Sequence, residues 1–548
     1  MPPPPPPYIA PDLHPIVALP TAQLNYVRDE NGRITDRGLA HGIWVGAEGA
    51  PLELRFHRRE DGSIWGEQAT YVDGDRIDGA ARASAAARVD VLSRRMIGGM
   101  GIAANFVRYT IINSSGEEVR QWSSPLCGTF GSVRLDRADS PAEPTFPSTW
   151  EGCERDFEGA YVLGRLTGLD RGWAMQLPAR VATFRPVTPG TKYQLRVDLD
   201  PLDGIADSNP TNDSVTVPLT VRSIVQKGDV DDCKFCDSPP GAIPVGGMST
   251  NTGAARSHAG HAAPAPRTEP DWYLDRLRVV EATLAQRRAL REAGPAPRAG
   301  EPAPAAPANV DLPDLQAAPS YGIHTDTIRR GRQRRDLLRF GALTWNAGPG
   351  PLEVEAFRES GTTLAAYQVF SRDGKRADRQ GRGTLVWHDA PGHDHFHFGA
   401  FAAYSLTKLD GSLVRDGGKH SWCIVDTDQV DTTRPGVTTG NRMSGTGGCG
   451  SDSGSLWARL SLSVGSGDYY GPDLAGQSFD ITTVPNGSYQ VKVEANPTDV
   501  IAEANLDNNV SVRTVTLGGT RGHRTVRARA HKLVNEDAVD SFEECEDC

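Results

Sequence analysis

Apolar and polar residues alternate in short runs along much of the chain. Tyr489-Gln-Val-Lys-Val-Glu-Ala is representative: every second side chain is apolar, the period of a strand with one buried face. Turn signals such as Pro485-Asn-Gly and Asp373-Gly separate the runs. The pattern predicts an all-β protein of loop-rich, antiparallel, sandwich-like domains. One stretch breaks the period. Around residues 269–293, Thr268 and Asp271 form a capping box, while Tyr273, Leu277, Val280 and Leu284 fall on one helical face. Gly294-Pro295 ends the run. That helix is expected to dock on a domain or self-associate rather than carry chemistry.

The strand pattern occurs twice. Gly190-Thr-Lys-Tyr-Gln-Leu-Arg-Val-Asp-Leu-Asp-Pro, continuing to Asp207-Ser-Asn-Pro-Thr-Asn-Asp, matches Asn486-Gly-Ser-Tyr-Gln-Val-Lys-Val-Glu-Ala-Asn-Pro, continuing to Glu503-Ala-Asn-Leu-Asp-Asn-Asn, 296 residues later. The same offset carries Cys127 to Cys423 and Cys153 to Cys449. Two tandem copies of one domain are expected, at 8–226 and 311–520. A proline spacer (1–7) precedes them, a Pro/Ala-rich linker (227–310) holding the helix separates them, and a tail (521–548) follows.

Composition narrows the classes. The 59 Gly and 40 Pro disfavour long helices, and no apolar run is long enough to span a membrane as a helix. A net charge of −11 argues against nucleic acid and suits a cationic partner. Of 58 basic residues, only eight are Lys, a bias that makes any well-placed Lys conspicuous. Met1 and Pro2 to Pro7 lack the form of a secretory signal peptide.

The sharpest chemical feature is Trp387-His-Asp-Ala-Pro-Gly-His-Asp-His-Phe-His397. On an extended strand His393, His395 and His397 project from one face, which makes a nitrogen site for Cu(II), Zn(II) or Fe(II). His388 either supports that site or is an ordinary surface histidine. The corresponding stretch of the first copy, Arg95 to Asn105, has no His. Its Gly99-Met-Gly-Ile-Ala-Ala104 only loosely imitates a dinucleotide fingerprint and lacks the acidic residue that would follow.

These residues together suggest a family. The histidine cluster is followed by Gly418-Lys-His-Ser-Trp-Cys-Ile-Val-Asp-Thr427, then Tyr470-Gly-Pro-Asp, Phe479-Asp-Ile-Thr and Gly487-Ser-Tyr-Gln-Val-Lys-Val. This succession, across about 340–515, resembles the lysyl oxidase catalytic domain. The resemblance implies copper held by His393, His395 and His397. It also implies a lysyl tyrosylquinone cofactor made from Lys419 and Tyr470, with Tyr470 preferred over Tyr469 because Gly471 follows it. The activity implied is oxidation of peptidyl lysine or another primary amine to an aldehyde, with O₂ reduced to H₂O₂. Asp426 is the candidate base. Two departures stand out: His393 follows His388 by five positions where animal members have three, and no Cys lies inside the histidine motif. The first copy, which aligns Ser123 with Lys419 and Trp173-Ala174 with the Tyr pair, reads as a degenerate relative.

The cysteines form two sets. Cys127 with Cys153 and Cys423 with Cys449 repeat at one spacing and predict a disulfide in each copy, favouring an oxidising compartment. Export by another route, or loss of a leader, is slightly favoured, with the cytoplasm left open. Cys233/Cys236 and Cys545/Cys548 are two Cys-x-x-Cys pairs that could hold a second metal or close as disulfides. Two rivals to an oxidase follow from the same residues: an Ig-like adhesion module without catalysis, and a copper storage or delivery protein. Substrate identity and oligomeric state are not legible in the sequence.

Overall fold

The computed structural model describes residues 8–29, 31–72, 88–127, 132–135, 140–141, 145–146, 159–178, 187–225, 305–330, 333–358, 363–372, 375–388, 395–399, 401–417, 421–437, 449, 453–474 and 476–536. Residues 1–7, nearly all of the linker with its expected helix, and the tail beyond 536 lie outside this set.

The fold is all-β, as the alternation predicts. Among the described residues, six sheets of four to seven strands carry it, three in each half of the chain. In Gly487–Ala495 the period is visible directly: Tyr489, Val491, Val493 and Ala495 are buried while Gln490, Lys492 and Glu494 are partly exposed. The pairing is antiparallel with one exception among the described strands, Ser214–Val225 beside Ala22–Arg28, which run parallel. Gly99-Met-Gly-Ile, the stretch with a fingerprint-like spacing, joins two paired strands, Ile97–Gly99 and Ile102–Asn113. No helix follows it.

Each half has its own core. Leu24, Phe56, Phe106, Tyr109 and Val197 belong to one, and Phe340, Val354, Phe396, Trp422, Tyr470 and Val493 to the other. The same local contacts recur in both halves, with the turn residues at the 296-residue offset and their strand partners 300 or 302 residues apart. Gln68 Nε2 donates to Ala206 O at 2.9 Å and Ala206 N–H returns to Gln68 Oε1 at 2.6 Å. Gln368 and Ala502 repeat the pair at 2.8 and 2.9 Å. Asp207 accepts from Leu13 N–H as Glu503 accepts from Leu315 N–H. Asp200 and Asp203 take positive φ, and so do Asn496 and Asp499. Short polar side chains tolerate that backbone region best after glycine.

The five-stranded sheet runs on past residue 520, the expected end of the second domain. His523–Ala528 pairs with Val510–Thr520 across a two-residue turn in which Gly522 has φ 80°. Folded chain continues to Glu536, which pairs with the buried Arg513. The arginine-rich composition of 521–529 hides this strand, since three of its six residues, Arg524, Val526 and Ala528, are only half-buried.

Each glutamine pin bridges a sheet strand and a loop. Gln368→Ala removes both bonds to Ala502 and should destabilise the second half by about 1–3 kcal/mol. A lower urea midpoint with an unchanged denaturant slope would register this.

Candidate metal and cofactor site

Two described strands assemble the site. His395–Gly399 pairs with the end of Lys375–His388, so that His388 faces His395 and Val386 faces His397. On its other side Phe398 pairs with Trp422 and Gly399 with Ser421. The pleat divides their side chains. Phe396, Phe398 and Trp422 enter the core. His395 and His397 turn the other way, their ring centroids 4.8 Å apart, and His388 stacks on His397 at 4.9 Å. His397 is only 2% exposed, and its Nδ1 lies 3.3 Å from Ser421 Oγ. A hydrogen-bonding neighbour of that kind fixes the orientation of a ligating imidazole.

His393 and Lys419 lie outside the described residues, as do Cys153, Cys233, Cys236, Cys545 and Cys548 and the side chain of Cys127. Among the described residues no group of three or more His, Cys, Asp or Glu is arranged to hold a metal ion. Ring contacts place His388 beside two of the expected ligands, His395 and His397. Imidazole nitrogen is a donor type that suits a transition metal.

The tyrosine pair sits on Ser466–Tyr470, between Gln333–Asn346 and Asp428–Gln429. Adjacent residues of a strand face opposite sides. Tyr470 enters the core and meets Trp422 at a centroid distance of 3.9 Å, its hydroxyl donating to Cys423 O at 3.3 Å. Tyr469 turns the other way and stacks on Tyr321 at 5.3 Å. Tyr470 therefore touches the Ser421–Trp422 strand from the core side, while His397 touches it from the opposite face. Burial pushes the Tyr470 phenol well above its ordinary pKa, and the charge of Asp468 adds to this. Asp468, two residues earlier and buried, had no motif to mark it.

Asp426 is engaged: Ser463 N–H donates to Oδ1 at 2.8 Å and Ser463 Oγ to Oδ2 at 2.6 Å. Cys423 and Cys449 form a disulfide, Cα atoms 5.7 Å apart, which ties the segment carrying Trp422 to Cys449 beside Phe396. Phe396 N–H donates to Cys449 O at 2.8 Å. Asp428, which the sequence did not single out, is held above the usual carboxylate range by burial, opposed by a hydrogen bond from Thr427 and the charge of Arg165.

Residues 366–526 match the family model described as lysyl oxidase. The chain carries a lysyl oxidase domain. Among curated relatives, lysyl oxidase homolog 2 of Gallus gallus is 32% identical over 133 residues, 24% of this chain and 15% of the relative. Lysyl oxidase homolog 3A of Danio rerio is 34% identical over 168 residues, 30% of this chain and 20% of the relative. Lysyl oxidase homolog 4 of Mus musculus is 34% identical over 177 residues, 32% and 18%. The chain spans a fifth or less of the length of these relatives. The histidine strand, Trp422 and the tyrosine pair all fall inside the matched lysyl oxidase segment.

Asp428 yields a pH prediction. Its folded pKa lies above its unfolded value, so the folded protein takes up the proton more readily. The contribution of Asp428 to stability is therefore greatest below the unfolded carboxylate pKa and falls as pH rises through the raised folded value. Asp428→Asn should flatten that part of the stability–pH curve, measured by urea unfolding across the acid range.

Proposed function

We propose that the second half of the chain, residues 311–520 with the added strand to 528, is a copper-dependent amine oxidase. Its substrate would be peptidyl lysine or another cationic primary amine. Residues 8–226 form its degenerate copy. The observation that carries the reading is the meeting at Trp422: this residue pairs with the histidine strand and packs against Tyr470.

His393, His395 and His397 would hold the copper, with Ser421 orienting His397 and His388 supporting the ring stack. Lys419 and Tyr470 are the side chains from which a lysyl tyrosylquinone would derive. Copper and quinone, when present, supply the oxidation of the amine to an aldehyde with reduction of O₂ to H₂O₂. The chain's own contribution is to bind, orient and handle protons. Burial raises the cost of ionising the Tyr470 phenol and excludes bulk water from its ring. Asp426 remains a candidate base, already anchored by Ser463, and Asp468 joins it as the acid whose charge acts on Tyr470. The net charge of −11 favours approach of a cation. The Cys423–Cys449 disulfide supports maturation in an oxidising compartment.

An adhesion module would account for the sheets but has no use for imidazoles and a tyrosine meeting across one strand. Copper storage would use the histidines without Tyr470. Amine-dependent peroxide release separates the three. After exposure to copper and O₂, the protein should release H₂O₂ with a primary amine, and Tyr470→Phe should abolish release while the free energy of unfolding changes by about 1 kcal/mol or less. Full release by Tyr470→Phe, or none by the unaltered protein, would remove the oxidase reading.

A further inference from the structure

A segment of the first half reaches into the second beside the tyrosine strand. Leu163 and Gly164 N–H both donate to Val430 O, at 2.8 and 3.2 Å, and Thr432 N–H returns to Gly164 O at 3.0 Å. Leu166 N–H donates to Thr432 Oγ1 at 2.7 Å, and Arg165 Nη1 to Gln429 Oε1 at 3.0 Å. Gly164 and Asp431 form a parallel bridge. Farther along, Asn535 N–H donates to Ala160 O at 2.8 Å. Ala160 and Tyr161 pack with Tyr321, Leu343, Trp345 and Val430 in a small core shared by the two halves, with Tyr469 at its border.

The elements joined this way are short. Asp428–Gln429 is a two-residue strand at the edge of its sheet, paired only with Ser466 and Gly467 among the described strands. An edge strand of that length has little to hold it in register. The incoming segment is better anchored, because Gly164–Leu169 pairs along its whole length with Leu52–Arg58 of the first half. The approach leaves no room for a side chain: a Cβ on Gly164 would stand 2.1 Å from Asp431 Oδ1 and 2.8 Å from Thr433 Oγ1. Arg165, a cation only 5% exposed, lies where its charge acts on the partly buried Asp428. A buried cation is tolerated where acceptors and an opposite charge surround it.

We propose that residues 160–166 of the first half are an intramolecular clamp. They complete the edge of the second half's sheet and fix the register of Asp428–Gln429, and through it the Ser466–Tyr470 strand. Arg165 is a positioning residue in this clamp. The copy without metal ligands or cofactor precursors thereby acts on the tyrosine strand of the copy that has them. The consequence for the cofactor rests on Tyr470 being its precursor; the clamp itself does not.

Hydrogen–deuterium exchange on the full chain tests this, comparing the unaltered protein with Thr432→Val, Gly164→Val, Arg165→Met and Arg165→Lys. Thr432→Val keeps the side-chain shape and deletes one bond. In each disrupting variant, peptides covering 427–433 and 466–471 should exchange roughly tenfold faster. Peptides from Tyr193–Leu199 and Gly487–Ala495 should be unchanged, and Arg165→Lys should fall between. Quinone absorbance per bound copper should decline in the order that exchange at 466–471 rises. If Gly164→Val exchanges faster everywhere, it has unfolded and Thr432→Val decides. Unchanged exchange at 466–471 in Thr432→Val and Arg165→Met overturns the clamp. Faster exchange with full quinone yield overturns its link to Tyr470. If the unaltered protein forms no quinone, the oxidase reading fails and exchange alone still judges the clamp.

Discussion

The candidate site depends on the period-two pleat of three short strands, His395–Gly399, Ser421–Trp422 and Ser466–Tyr470. Because successive side chains face opposite ways, one register decides everything at once. His395 and His397 share a face with Ser421, while Phe396, Phe398, Trp422 and Tyr470 close the core on the other. A slip of one residue would turn the imidazoles into the apolar core and the aromatic rings out of it. The disulfide at Cys423 and the backbone bond from Phe396 to Cys449 hold the middle of this arrangement. The same pleat separates the two adjacent tyrosines, giving Tyr470 to the core and Tyr469 to the small cluster shared with the first half.

Much of this was legible before any coordinates, for a physical reason. Strand alternation, the recurring Asp and Asn turns and the His-x-His-x-His spacing are local patterns, fixed by the backbone within a few residues. Gln68 and Gln368 were not legible, since a side chain pinning a loop 134 or more residues away leaves no local mark. Arg165 was hidden for the same reason, among 50 arginines. So was Asp428, whose unusual carboxyl arises from burial that only the folded chain provides. The strand His523–Ala528 escaped because its polar, half-exposed face reads as solvated chain.

The two halves now have different relations to one scaffold. Both keep the glutamine pin, the carboxylate that accepts from Leu13 or Leu315 N–H, and the positive-φ turn, features that hold sheets and loops together. The histidines and the Lys–Tyr pair belong to the second half alone. What the first half retains in their place is a strand edge, Gly164–Leu169, that continues across the boundary into its neighbour. On the proposed reading, the first half is a copy without the chemistry, and the edge and the close approach at Gly164 are what it contributes to its neighbour.

The central claim is that Lys419 and Tyr470 become one cofactor beside a copper held by the histidine strand. A peptide mass map after copper and O₂ exposure tests it most directly. The account predicts a single cross-linked peptide joining the Lys419 and Tyr470 segments, absent from protein kept free of copper. Two separate, unmodified peptides in fully copper-loaded, oxygenated protein would contradict it.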